Sequence, residues 1–480
     1  LLKANHWYHI KITNENNRVS YYIDGKRLVD FRDAEPLTEG WFGFRTTLSR
    51  TRITNVRYEC LPPQTSTVPL HWIGNTPEQD KAVSFGVPFD EGYLFPETSL
   101  RLKTDRNQEI PVDTWPLAYW PDGSVKWSGV AGVIPAGTER LTLEKAPRKA
   151  KTINKQPNAS IAITETPEDI QIETGLISVF IPRRGDFLID SLLYKGTKVG
   201  EKARLICNTQ NEPIQENTSQ ISFTHYIGEI KSVTIERLGS VRALVKLEGI
   251  HRNRNKKIDT NHSDMNKLNN REWLPFVVRL YFYGGSEQIK MVHSFVYNGD
   301  QKKDFIRSLG IRFDVPMREA LYNRHIAFSC ADGGVWSEPV QPLVGRRILT
   351  LNKTDNKKNS NEKKDAQQKS TDESSLQQQQ MEGKRIPPYE SFDEKNRSLL
   401  DNWASWNDYR LSQLTADAFS IRKRANNDNP WIGTFSGTRS DGYTFVGDIT
   451  GGLGLCMHDF WQSYPSSIEI SDARTPVATL

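Results

Sequence analysis

Cationic, aromatic and planar polar side chains crowd one stretch of this 480-residue chain, from Arg410 to Tyr464. Arg410, Arg424, Arg439, Tyr443, Trp461, Gln462 and Tyr464 fall there, interleaved with Gln413, Arg422, Lys423, Asp448, His458 and Asp459. These residue types suit a charged sugar. The apolar faces of a pyranose stack on Trp and Tyr, hydroxyls take planar donors and acceptors, and a uronate carboxylate takes Arg or Lys, best as a bidentate pair. An all-β surface is rich in the same residues, so composition alone leaves a site and an ordinary surface both open.

Histidine supplies the commonest proton shuttle near neutrality. Arg324-His325 stands in Leu321–Phe328, where alternation sets His325 opposite in sense to Ile326 and makes it a cleft candidate. His293 falls on the apolar side of its hairpin and reads as a core histidine, with His225 a further cleft candidate of the same type as His325. A second aromatic concentration lies in Trp115–Trp127, where Pro121-Asp122-Gly123 is turn chemistry. Trp120 and Trp127 on that hairpin are candidate sugar platforms.

Several other chemistries are absent. There is no P-loop, GxGxxG, HExxH, GxSxG or EF-hand pattern, and Gly451–Gly454 lacks the Lys-Ser/Thr of a phosphate loop. Cys60, Cys207, Cys330 and Cys456 lie far apart with no CxxC, so they read as four buried small hydrophobes rather than zinc or redox ligands. No metal or cofactor is expected, with calcium left open. The formal charge is +5, from 63 basic and 58 acidic residues, with no basic arm or recognition-helix pattern. Nucleic acid is therefore not the expected partner. A mildly basic surface suits an acidic polymer instead. No apolar run approaches the roughly 18 residues of a membrane span.

The elements that must position these residues read as strands. Asp24-Gly25 between two apolar-rich runs is a hairpin signal, and Gly40–Arg45 and Thr51–Tyr58 read as further strands. Leu61–Pro69, with three prolines, is a linker. A β-rich unit follows over residues 70–150, and another over residues 158–470. In the second, Phe276–Tyr283 and Ser286–Tyr297 flank Gly284-Gly285. A two-residue turn there sets Phe276, Val278 and Leu280 on one face with Ile289, Met291 and His293. Arg279, Tyr281, Gln288 and Lys290 then share the other, a cationic and aromatic surface. Residues 352–396, rich in Lys, Asn, Gln, Ser and Asp, read as a disordered insertion. The chain is all-β in at least three pieces. It begins Leu1-Leu2-Lys3 with no Met and reads as a fragment or processed product.

Four stretches together resemble one family. They are Trp115–Trp127 ending Tyr-Trp-Pro-Asp-Gly-Ser-Val-Lys-Trp, the Arg279–Phe313 block with Tyr-Phe-Tyr-Gly-Gly-Ser and His293, Tyr322-Asn323-Arg324-His325, and Asp459–Pro465. The resemblance is to the exo-acting rhamnogalacturonan lyases (PcRGLX/YetA-like), as found in gut Bacteroidota, over roughly residues 70–470. It implies a small RIFT-like barrel, a central β-sandwich and a C-terminal α/α toroid, of which this chain would carry the first two. Residues 471–480 would then begin the missing part. Residues 1–60 resemble the closing strands of a concanavalin- or laminin-G-like jelly roll. By the same resemblance the partner is a plant cell-wall polysaccharide or oligosaccharide, the setting is secreted, periplasmic or cell-surface, and the reaction is β-elimination at a uronate. Arg324, Arg424 and Arg439 are then candidates to neutralise the carboxylate, and His325, Tyr443 and Tyr464 to move protons. Trp120, Trp127, Trp461, Gln462 and Arg410 are candidates to hold sugar. A non-catalytic carbohydrate-binding assembly and a glycoside hydrolase using Asp448 and Asp459 are the competing readings.

Overall fold

A computed structural model describes residues 3–15, 18–32, 51–57, 67–146, 161–213, 221–253, 271–343 and 376–480. The chain divides into two units, residues 1–64 and 65–480. The first unit holds a three-stranded antiparallel sheet of Ile10–Glu15, Arg18–Ile23 and Lys26–Arg32. Its hairpin turns at Asp24 and Gly25, whose φ values are +49° and +78°. Two consecutive positive φ values match the right-handed strand twist, which is why Asp-Gly marks such turns. Residues 51–57 form no strand, and Gly40–Arg45 lies outside the described residues.

The second unit is also nearly all strand. Residues 67–145 make two small sheets around one core. Thr67–His71, Arg140–Lys145, Leu100–Thr104 and Glu109–Ile110 form one, and Lys81–Pro88, Val125–Ile134 and Val112–Tyr119 form the other. Leu102, Val130, Ile134 and Leu143 lie between them, each no more than 1% exposed. The Pro-Asp-Gly turn closes as its chemistry requires: the Asp122 carboxylate accepts from the Ser124 amide at 2.9 Å and its hydroxyl at 2.5 Å.

From residue 161 onward a large sheet runs from Ala162–Glu165 to Lys290–Phe295 in sequence order, each strand antiparallel to the next. Phe305–Pro316 joins it beside Thr197–Gln210. Two four-stranded sheets complete the sandwich. One contains Val335–Pro339, Arg324–Ser329, Tyr443–Asp448 and Gly451–Cys456; the other contains Ile432–Gly437, Ala418–Arg424, Asp408–Thr415 and Ser466–Ile470. Alternate side chains of all three sheets share one core, in which Phe282, Phe328, Tyr409 and Ile470 are fully buried. Each such side chain contributes roughly 1.5–3 kcal/mol by leaving water.

The Phe276–Tyr283 hairpin keeps the expected faces but not the expected register. Phe276 pairs with Phe295, and Tyr281 with Lys290, two residues beyond a Gly-Gly turn. The second strand begins only at Lys290, so the loop is six residues long, from Gly284 to Ile289. A shift of two leaves every side chain on its face.

Two boundaries need correction. Residues 376–396 are ordered rather than part of a disordered insertion; residues 352–375 lie outside the described residues. Leu376–Met381 and Glu394–Asn402 are helices, the second capped by the Asp393 side chain on the Asn396 amide at 2.8 Å. Leu376, Ile386, Phe392 and Leu400 build a small core with Tyr322 and Leu343. Gln380, read as low complexity, is 4% exposed; it accepts from the Leu343 amide and donates to the Tyr322 and Gln341 carbonyls. A few well-spaced apolar residues and satisfied amides suffice where overall composition looks too polar. Residues 471–480 belong to the sandwich. Val477–Thr479 pairs with Asp314–Pro316, and Leu480 exchanges backbone hydrogen bonds with Phe313. No helix among the described residues is long and apolar enough to cross a membrane.

Candidate functional site

The loops Thr438–Gly442 and Met457–Pro465 leave adjacent strand ends and lock together. Gln413, fully buried, brackets the first: its Nε2 donates to the Thr438 carbonyl at 2.9 Å, and its Oε1 accepts from the Ser440 amide at 3.1 Å. Ser440 Oγ donates to the Ser329 carbonyl at 2.8 Å, and the Tyr443 amide donates to Ser329 Oγ at 2.9 Å. Gly442, at φ +73°, lies flat on buried Phe460, where a Cβ would come within 2.3 Å of the ring-bearing carbon. The Met457 amide then donates to the Gly442 carbonyl at 2.9 Å, tying the second loop to the first.

This scaffold presents Arg439 to solvent with its guanidinium 4.2 Å from the Trp461 ring centroid. Among the described residues Arg439 makes no ion pair, so its charge is open to an incoming anion. Tyr443 is 37% exposed, and burial of its remainder raises the phenol above its usual range, with Cys456 and Glu287 adding to the effect. It stays protonated at neutral pH and can donate. His458 and Asp459 pair at 2.8 Å on the exposed tip, Gln462 and Tyr464 are exposed beside it, and the Tyr464–Pro465 peptide is cis. Cys456 is exposed rather than core. Burial of its thiol and the Asp441 charge raise its pKa, while Lys81 of the barrel lowers it. Lys81 also lines an open cavity of about 550 Å³ on the barrel loop from Trp72 to Lys81. A half-buried indole, a cation without an ion pair and a protonated phenol are groups that can receive a carboxylate-bearing sugar.

The remaining candidates lie elsewhere, and most are occupied. Arg324 is 7% exposed and donates to the carbonyls of Glu319, Ala473 and Thr475 at 2.6–2.9 Å. It anchors the C-terminal segment and does not face a cleft. His325 is half-buried and its Nε2 has no partner among the described residues; burial lowers its pKa, with Asp448 pulling the other way. Arg424 is paired with fully buried Asp408 at 2.6 Å and Arg410 with Glu469 at 2.5 Å, both guanidiniums flanking Trp431. Trp120 turns into the barrel, donating to the Phe89 carbonyl at 2.9 Å beneath the Lys126 ammonium. Trp127 is 41% exposed. Asp448 is 5% exposed and accepts from Arg318, Glu319 and Thr450; these hydrogen bonds outweigh burial and lower its pKa. It does not serve as half of an open carboxylate pair. His293 is half-buried on the core-side face of its strand, and His225 bonds Asn208 on the surface at 2.7 Å.

Residues 161–480 match the PcRGLX-like protein central beta sandwich domain, and residues 66–146 match the PcRGLX-like N-terminal RIFT barrel domain. The chain belongs to the PcRGLX-like family. Within this family it is 31% identical over 404 residues to the uncharacterized protein YetA of Bacillus subtilis (strain 168), an alignment spanning 84% of this chain and 42% of the relative. The PcRGLX-like chain thus spans less than half the length of that relative. Residues 1–56 match a domain of unknown function (DUF6250). The all-β reading and the family resemblance are borne out. Sequence reasoning named Arg439, Tyr443 and Trp461 but missed what positions them. Ser329 and Ser440 carry no motif, and Gln413 and Phe460, though within the stretches singled out, gave no sign of a positioning role, because these roles depend on loop contacts far apart in sequence.

Proposed function

We propose that this chain supplies the barrel and sandwich of a secreted or cell-surface, exo-acting rhamnogalacturonan lyase that degrades plant pectin by β-elimination. The Arg439–Trp461 stack at 4.2 Å carries this reading, because it joins an open cation to an aromatic platform on a pinned loop. Arg439 would neutralise the uronate carboxylate, which acidifies the proton on C5. A base removes that proton, the C4–O bond breaks as the C4–C5 double bond forms, and the departing oxygen takes up a proton. Tyr443, protonated at neutral pH, suits the last role; Tyr464 would contact the same sugar and Gln462 would bond its hydroxyls. The test is incubation with rhamnogalacturonan backbone, by this chain and by a full-length family member carrying the same loops. The expected product is unsaturated, absorbs near the ultraviolet edge and is lighter than a hydrolysis product by one water. A flat trace from both proteins across several uronate polymers removes the lyase reading.

A second reading rests on the exposed Trp127: a binding assembly that holds glycan without cutting it. It predicts retention on a polysaccharide affinity gel with no chromophore.

A further inference from the structure

A row of cations and aromatic rings crosses from the sandwich sheet onto the barrel sheet. On the outer face of the sandwich, Lys290 Nζ lies 5.8 Å from the Tyr281 ring centroid, and Arg242 lies 5.5 Å from the same ring. Arg242 also stacks on Trp115 of the barrel at 4.1 Å, and Arg237 lies over that indole at 4.8 Å. Trp115 in turn lies across Gly129, where an added Cβ would meet its ring at 2.2 Å. Gly129 pairs across the sheet with Gly86, and over Gly86 lies Trp127, 3.4 Å from where a Cβ would stand. The missing side chain at Gly129 thus lets Trp115 cover this part of the sheet, next to Trp127 over Gly86. Trp127 is 41% exposed and its neighbour Leu117 56%.

The charges in this row are not closed into ion pairs among the described residues. Arg279 and Lys246, on the same sheet face, have their own carboxylates in Glu236 and Glu248. Arg237, Arg242 and Lys290 have none among the described residues. The nearby acid, Asp113, has both oxygens occupied by the amides of Ser240, Val241 and Arg242 and by the Ser240 hydroxyl, all at 2.7–2.9 Å. Arg242 is 4% exposed; one guanidinium nitrogen reaches Ser84 Oγ at 2.9 Å, and its Nε has no partner. Like charges this close repel; stacking on π faces, the Ser84 and Tyr283 hydroxyls on Arg242 and the Glu236 charge near Arg237 offset this only in part. An anion lying along the row removes the repulsion.

We infer that this row is a binding track for an anionic oligosaccharide, with Arg237 and Lys290 taking carboxylates and the exposed face of Trp127 taking a sugar ring. It rests on the polyuronate substrate class proposed above but uses none of the residues of the loop site. The track would hold polymer on the barrel–sandwich seam while a chain end is worked on elsewhere.

The test is calorimetric titration of the protein with an oligogalacturonate and with a neutral cello-oligosaccharide, at two salt concentrations. Arg237→Ala combined with Lys290→Ala should weaken oligogalacturonate binding about tenfold and flatten its salt dependence. Trp127→Ala should weaken it several-fold at either salt concentration. Circular dichroism melts confirm that both variants stay folded, since all three residues reach solvent. Unchanged affinity in both variants, or equal affinity for the neutral sugar, overturns the track. A lyase whose chromophore forms normally while these affinities do not move would lose the track and keep its proposed activity; track binding without any chromophore would do the reverse.

Discussion

Arg324 and Arg439 sit on neighbouring segments of the same sandwich, and both were equal candidates for a carboxylate-binding role. Arg324 opens the strand Arg324–Ser329 on its core-facing side, so the pleat carries its side chain inward, where three backbone carbonyls take its donors. Arg439 lies in a loop whose backbone is held by Gln413 on either side, so its side chain has no course but outward. The two regions differ in who satisfies whom. In the interior the arginine completes the backbone; at the loop end the backbone is completed by other residues and the arginine is left free. A functional cation is recognised by this second arrangement, not by its residue type.

That contrast can be broken experimentally. The largest effect is expected from Arg324→Leu, which leaves buried carbonyls without donors and should cost about 3 kcal/mol in urea denaturation. If stability is unchanged, the division between the two arginines fails. Gly442→Ala should cost about 2 kcal/mol, because φ is +73° and the new methyl meets Phe460. It should also weaken sugar binding by letting the Met457–Pro465 loop drift; intact binding would show that the loops are not coupled. Arg439→Ala should behave oppositely to Arg324→Leu. Stability should stay within about 0.5 kcal/mol while oligogalacturonate affinity at the loop site, measured in a background lacking Arg237 and Lys290, falls about tenfold, or about 1.4 kcal/mol.

The smallest effect concerns half-buried His293. Burial lowers the His293 pKa to about 4, with His251 adding to the shift, whereas the unfolded chain titrates near 6.5. The unfolded state therefore takes up the proton first. Stability is full above about pH 6.5 and is lost as pH falls toward 4, by at most about 1.4 kcal/mol per unit and much less between pH 7 and 6. His293→Phe should reduce that slope in denaturation curves measured from pH 7 to 4.5. An unaltered slope would assign it to other groups.

Much of the architecture is legible in the sequence. The period-2 alternation in Phe276–Tyr283 predicted both faces correctly, because strand pleat alone decides them. The loop length did not follow from Gly284-Gly285, since two glycines permit a tight turn without requiring it. The order in residues 376–396 was hidden for a similar reason. Gln380 looks like a solvated polar residue until Leu343, Tyr322 and Gln341 are placed around it.

The sequence by itself determined that this is an all-β chain with a Trp-bearing hairpin and an aromatic, cationic C-terminal stretch. Those properties are local: alternation, turn residues and residue type are set within a few positions of one another. Which arginine is buried, which tryptophan lies flat and which histidine lacks a partner were decided only by the tertiary structure. Each depends on groups more than about a hundred positions away, as Arg324 on Ala473, Trp115 on Arg242 and Tyr443 on Ser329. Burial and hydrogen-bond saturation belong to the assembled sheets, and no window of sequence contains them.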